Sequence, residues 1–217
     1  MTRVVIVDDE ALIRSGFKMI LSAAEDIEVV ATCDGRNAVQ TIAELRPDVV
    51  LLDIRMPGKD GLTVLAELQT LAPPPTVAVL TTFDADEYIA SALRMGAAGF
   101  LLKDTDPEQL PYMVRSLAGG GLVLSEKVSP RVVAGYLGDH ADVAAVHALR
   151  ALTERETQVL KLLAQGRSNG EISATLYSSV GTVKDQVSSI LAKLGVKSRV
   201  EAAIVAQRAR LLDDDSC

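Results

Sequence analysis

Short apolar runs rich in Val, Leu and Ile recur through the first half of the chain: RVVIV at 3–7, DVVLL at 48–52, TVAVL at 76–80 and GFLL at 99–102. The stretches between them repeat with the spacing of amphipathic helices, as in ALIRSGFKMIL after the first run. Strands that are apolar on both faces and separated by helices belong to a parallel sheet covered on both sides. With a further strand carrying Cys33, the pattern predicts a doubly wound α/β unit of five parallel strands. Pro73, Pro74 and Pro75 read as a rigid loop feeding the fourth strand.

The periodicity changes near residue 149, where strand-like runs give way to four helical segments. LTERETQVLKLLAQG opens on a Thr153–Glu156 capping box and stops at Gly166. NGEISATLY is a second, short helix. After a turn over Ser178 to Gly181, TVKDQVSSILAKLG sets Val183, Val187, Ile190, Leu191 and Leu194 on one face and Lys184, Asp185 and Ser188 on the other. SRVEAAIVAQRARLL reads as a long amphipathic helix. The expected organisation is an α/β unit over 1–122, a linker over 123–148 and a small all-α unit over 149–212. Within the linker, VSPRVVAGYL carries a short helix with Ser129 as cap and Pro130 in the first turn.

Polar residues gather where the strands end: Asp8 and Asp9 after the first run, Asp53 after DVVLL, Thr81 after TVAVL and Lys103 after GFLL. In open α/β sheets, ligands bind at the carboxyl ends of the strands. Three neighbouring carboxylates repel one another unless a cation joins them, and a hard divalent ion with oxygen ligands, Mg2+, suits such a site. One carboxylate is then available as a nucleophile toward phosphorus, and Asp53, a lone acid closing a strand before IRMPGKDG, is the candidate. Asp8 and Asp9 would hold the metal, while Lys103 and the Thr81 hydroxyl would neutralise and hydrogen-bond phosphoryl oxygens. Taken singly, Asp9 could instead cap the helix that follows it, Phe100 could be a core aromatic, and Thr82 competes with Thr81.

Charge divides the chain more sharply than its overall value of −7: residues 1–149 carry a net −9 and residues 150–212 a net +5. An acidic regulatory unit joined to a nucleic-acid binder shows this asymmetry. No apolar run approaches the roughly 18 residues of a membrane span, so no membrane association and a cytoplasmic location are expected. Cys33 and Cys217 are not placed for a disulfide, and neither joins His140 or His147 at metal-ligand spacing.

The motifs VDDE, LLDIRMPGKDG, VLTT and GAAGFLLKD resemble the receiver domain of bacterial two-component response regulators, over about half of the chain. The resemblance implies a flavodoxin-like fold in which Asp53 accepts a phosphoryl group from a sensor histidine kinase. It also implies that Asp8, Asp9, Asp53 and the main-chain carbonyl of Arg55 bind Mg2+. Thr81 and Lys103 would read the phosphate, and Phe100 would stand at the family's switch aromatic. Asp104 follows the lysine, as in the subfamily with LuxR-type DNA-binding domains.

The last third, LTERETQVLKLLAQGRSNGEIS and then TVKDQVSSILAKLGVKSRVEAA, resembles the LuxR-type helix-turn-helix domain, making the whole chain similar to regulators of the NarL/FixJ type. That resemblance implies Lys184, Asp185 and Ser188 facing base edges, with Thr182, Arg199 and main-chain groups near Asn169 touching phosphates of double-stranded DNA. Gln186 replaces the family's usual histidine, and Asp185 either accepts from a cytosine amino group or faces solvent. The combined expectation is a transcription regulator rather than an enzyme. Phosphorylation would release a recognition helix covered by the acidic domain and promote a homodimer on DNA. An orphan DNA binder without a phosphoryl switch is the main alternative. An Mg2+-dependent phosphohydrolase is a weaker one, since Asp8 and Asp9 are adjacent rather than two residues apart.

Overall fold

A computed structural model describes residues 1–81, 86–124 and 143–212. The N-terminal unit runs β1 (Thr2–Val7), α1 (Ala11–Ser22), β2 (Ile27–Cys33), α2 (Ala38–Leu45), β3 (Val49–Asp53), α3 (Gly61–Leu68), β4 (Thr76–Thr81), α4 (Asp86–Arg94), β5 (Gly99–Leu102), α5 (Leu110–Ala118) and β6 (Val123–Leu124). All pairings are parallel, in the order β2-β1-β3-β4-β5-β6. This is the doubly wound sheet expected, with one strand more than the five predicted. Val123 and Leu124 add to the open edge by pairing with Gly99 and Phe100, a segment too short to announce itself by alternation.

The pleat sorts successive residues of each strand to opposite faces. Val5, Val7, Val50, Leu52, Val77, Val79 and Phe100 pack against α2, α3 and α4. Val4, Ile6, Val49, Leu51, Ala78, Leu80 and Leu101 pack against α1 and α5. Chain direction across the sheet reverses between β1 and β3, so their carboxyl ends flank the crevice where such sheets bind ligands.

α3 begins hard against this crevice. Asp60 caps it by accepting from the Thr63 N–H at 2.8 Å. A Cβ on Gly61 would collide with the carbonyl oxygen of Asp53 and come within 2.7 Å of the Ile54 Cα. Because those atoms are backbone, Gly61→Ala is expected to destabilise the unit by about 1–3 kcal/mol and to shift Asp53, measurable by chemical denaturation together with the rate of phosphoryl uptake.

The C-terminal unit comprises α6 (Val143–Leu149), α7 (Glu154–Ala164), α8 (Asn169–Thr175), α9 (Val180–Leu194) and α10 (Arg199–Arg208). Its core is Val159, Leu160, Leu163, Ile172, Val183, Ile190, Ala202 and Ala206. The Thr153–Glu156 capping box is formed, and a second one, Ser168–Glu171, starts α8. α9 begins at Val180, inside the segment predicted as a turn, because the Ser179 hydroxyl accepts from the Thr182 N–H and caps the helix there. α6 was not anticipated, and the short helix predicted in VSPRVVAGYL lies outside the described residues.

α10 departs from simple amphipathicity. Ala202 and Ala206 face its own unit, whereas Val200, 1% exposed, belongs to the apolar cluster of the N-terminal unit, with Ile204 packed beside it. The Ser198 hydroxyl donates to the Leu93 carbonyl of α4 at 3.5 Å, and the Asn169 N–H donates to the Gly119 carbonyl at 3.1 Å. The two units therefore share a buried junction formed by α4, the end of α5, α8 and α10.

Candidate functional site

Asp8 and Asp53 leave the ends of β1 and β3 on either side of the sheet's reversal, and both are buried. Asp9 is exposed beside them. Oxygens of the three carboxylates lie within 4.8 Å of one another. α1 is capped by no side chain, with Glu10 at its N-cap, so capping is not what Asp9 does.

Lys103 follows β5 and its N–H donates to the Thr81 carbonyl at 2.9 Å, which ties the ends of β4 and β5 together. Its ammonium lies 3.0 Å from Asp53 Oδ2, 2.9 Å from Asp8 Oδ2 and 3.1 Å from Glu10 Oε1. Burial alone would lower Lys103, but the Asp8 and Asp53 carboxylates outweigh it and hold the ammonium above its ordinary value. For Asp53 burial dominates, raising the carboxyl despite the opposing pull of Lys103; the charge of Asp8 adds to the rise.

Asp53 Oδ1 accepts from the Arg55 N–H at 3.2 Å, and the Arg55 guanidinium sits 5.7 Å over the Tyr88 ring. Thr81 is 4% exposed and in register with Leu102; Thr82 lies outside the described residues. Phe100 is fully buried in the cluster between the sheet and α4. The five strand-end residues predicted from sequence thus converge. Glu10, the third consecutive acid in VDDE, was overlooked although it reaches Lys103.

The site fits a hard divalent cation. Asp8 Oδ2 is buried and accepts no hydrogen bond from the described residues, since Lys103 approaches it outside hydrogen-bonding geometry. An acceptor-only oxygen without a donor, beside two more carboxylates, offers a lone pair for a metal.

The predicted DNA-facing residues divide into two groups. On α9, Thr182, Lys184, Asp185 and Ser188 are all exposed. The expectation that the acidic unit covers the recognition helix is therefore wrong for this arrangement. Asn169 and Arg199 are the covered pair, 6% and 7% exposed, because the junction is built on α8 and α10. Arg199 Nη2 donates to the Arg167 carbonyl at 2.7 Å and Nη1 to Asn169 Oδ1 at 3.5 Å, while Nε has no partner among the described residues. Burial lowers Arg199 to about 10, leaving a cation at neutral pH that has lost hydration without gaining a carboxylate among the described residues. Gln186 Oε1 is likewise buried and without a hydrogen-bond partner among the described residues.

Comparison with known proteins finds two family matches along the chain. Residues 4–115 match the response regulator receiver domain, and residues 150–206 match the bacterial regulatory proteins of the luxR family. The oxygen regulatory protein NreC of Staphylococcus aureus is 37% identical, over 97% of this chain and 99% of its own. The crystal structure of ChrA, the response regulator of a heme-sensing two-component system, is 34% identical with a TM-score of 0.53, covering 96% of this chain and 98% of that one. A structure of RcsB dimers bound to DNA is 26% identical with a TM-score of 0.55, covering 96% and 98%. No helix among the described residues is long and apolar enough to cross a membrane. The chain belongs to the response regulators that join a receiver domain to a LuxR-type DNA-binding domain.

Proposed function

We propose that this regulator is switched by phosphorylation of Asp53 from a sensor histidine kinase, in the cytoplasm, and that the phosphorylated chain binds double-stranded DNA as a homodimer. The observation that carries the reading is the Asp53 carboxylate at the end of β3, paired with Lys103 and within reach of Asp8 and Asp9. In the transfer, a carboxylate oxygen of Asp53 forms a bond to phosphorus as the bond from phosphorus to the kinase's histidine nitrogen breaks, and the electron pair leaves with the imidazole. Asp8, Asp9, Asp53 and the Arg55 carbonyl would hold Mg2+, which when bound supplies positive charge against the phosphoryl oxygens.

Lys103 then exchanges Asp53 for a phosphoryl oxygen, and the Thr81 hydroxyl donates to another. The acyl phosphate carries about −1.5 to −2 charges in place of the single negative charge of the Asp53 carboxylate. Thr81 and Phe100 neighbour the cluster that also contains Val200 of α10, so a shift of α4 toward the phosphate is felt at the junction. Lys184, Asp185 and Ser188 read base edges, with Thr182, Arg199 and the main chain near Asn169 on phosphates. The DNA-bound dimers named for RcsB support the homodimer and the nucleic-acid partner. Catalysis is limited to loss of the chain's own phosphoryl group.

The test treats wild type and Asp53→Asn with a small acyl phosphate and Mg2+, following mass and DNA affinity at fixed salt. Wild type gains one phosphoryl group and binds DNA more tightly as a dimer; Asp53→Asn does neither. Equal affinities with and without the donor would instead establish a regulator controlled without phosphorylation.

A further inference from the structure

Lys103 faces two opposed demands. Its ammonium lies 3.0 Å from Asp53 Oδ2 and draws electron density from the carboxylate that must attack phosphorus. The other Asp53 oxygen already accepts from the Arg55 N–H at 3.2 Å. Once the bond to phosphorus has formed, the same ammonium stabilises the phosphoryl oxygens. A cation that hinders the attack and favours its product needs another acceptor to hold it while Asp53 reacts.

Glu10 supplies that acceptor. Its Oε1 stands 3.1 Å from Lys103 Nζ, although 93 positions of sequence separate the two residues. The Glu10 side chain is 60% exposed and that of Lys103 only 10%, so the contact is made at the mouth of the pocket. Of the three carboxylates around the ammonium, Asp8 and Asp53 converge with Asp9 on the metal position, and Glu10 does not. Its placement is fixed by the main chain: the Glu10 N–H donates to Asp8 Oδ1 at 2.8 Å, and its carbonyl accepts from the Arg14 N–H at 3.1 Å. Glu10 is also the N-cap of α1, with extended backbone, yet its side chain accepts from none of the N–H groups there. Its carboxylate is committed to Lys103 instead.

We propose that Glu10 is a positioning residue for phosphoryl transfer: it draws the Lys103 ammonium off Asp53 toward the mouth of the pocket, freeing the nucleophile, and leaves the cation beside the arriving phosphoryl oxygens. This rests on the reading of Asp53 as the phosphoacceptor. With a small acyl phosphate, a carboxylate oxygen of Asp53 bonds to phosphorus as the bond from phosphorus to the donor's acyl oxygen breaks, and the electron pair leaves on the donor's carboxylate. Lys103 keeps its protons throughout, and Glu10 acts only through it.

Two substitutions in the full-length chain test this. Glu10→Gln keeps the length and removes the charge. Glu10→Asp keeps the charge but is one methylene shorter, and at an extended N-cap position an aspartate turns to the first N–H groups of the helix. With Mg2+ and increasing small acyl phosphate, both should lower the limiting rate of mass gain about tenfold, the worth of one charge-assisted hydrogen bond. Neither should raise the donor concentration at half-maximal rate, since no cation is lost. Glu10→Asp should meanwhile resist denaturant at least as well as wild type, which separates a slower reaction from a damaged fold. In the chain without donor or metal, the Lys103 ammonium protons, followed by NMR, should exchange with water faster in both variants than in wild type.

An unchanged limiting rate in Glu10→Gln, or unchanged ammonium exchange, would overturn the proposal. So would a Glu10→Asp chain that reacts like wild type while Glu10→Gln is slow, because the charge rather than the contact would then be what matters. If wild type itself gains no phosphoryl group, the reading of Asp53 fails and this proposal with it; if wild type gains it and the variants keep pace, only the role of Glu10 falls.

Discussion

Replacing Lys103 with methionine is expected to destabilise the receiver by about 3–5 kcal/mol at neutral pH without divalent cation, the usual consequence of removing one member of a buried ion pair. The methylene stem is kept and only the charge is lost. Asp8 and Asp53, 0% and 3% exposed, are then left facing each other with no cation between them. Two treatments should reverse the loss. Millimolar Mg2+ should restore stability by occupying the carboxylates, through mass action on the folded state. A second substitution, Asp53→Asn, should recover much of it by deleting the carboxylate that burial disfavours.

The sign for Asp53 follows from its raised value. A carboxyl whose folded pKa lies above its unfolded one favours the fold while protonated and opposes it as pH rises through that interval. Asp53→Asn alone should therefore gain stability relative to wild type on going from acid to neutral pH. Denaturant midpoints across that range, with and without Mg2+, check all three variants. A Lys103→Met chain as stable as wild type without cation would show that the acids are not held by this lysine.

In the DNA-binding domain, Glu156→Gln is expected to destabilise by about 2–4 kcal/mol, combining loss of a charged capping interaction with loss of charge-assisted hydrogen bonds. One carboxylate accepts from the Thr153 N–H at 2.7 Å, from the Ser189 hydroxyl at 2.7 Å and from Lys193 Nζ at 2.6 Å. It thereby fixes the start of α7 to the middle and end of α9, the helix on which Lys184, Asp185 and Ser188 are exposed. Led by the Lys193 contact, these bonds hold Glu156 well below the usual carboxylate range, at about 2. A depressed carboxyl contributes fully above its ordinary value of 4.5, and the contribution disappears as pH falls toward about 2. Acid titration of helical signal in wild type and Glu156→Gln should converge at the acid end and separate as pH rises.

Most of the receiver was readable because its central strands carry continuous apolar runs and its functional groups follow them directly. RVVIV followed by two aspartates and GFLL followed by lysine carry fold and chemistry in the same few residues. Asp53, Thr81 and Lys103 needed only strand ends to be located, and parallel pairing brought them together. What escaped the sequence was contact between distant segments. Arg199 was expected on DNA through the family resemblance alone; nothing in SRVEAAIVAQ indicates that Val200 and Ile204 serve the other unit's core. A helix buried on two opposed sides loses the one-sided periodicity that reveals burial. β6 was missed because two residues cannot alternate, and the start of α9 was displaced because Val180 and Gly181 look like a turn until Ser179 is seen to cap them.

Val200 has a consequence for how freely such regulators can be recombined. Two domains on one chain are commonly treated as interchangeable modules, yet here one module supplies a side chain to the interior of the other. A hybrid that joined this receiver to a foreign output domain lacking an apolar residue at that position would keep every phosphoryl-site residue and still inherit a void beside α4. Descent by shuffling of halves is thus restricted to partners that match at a single helix face, and Leu93, Val200 and Ile204 should change together across lineages or not at all.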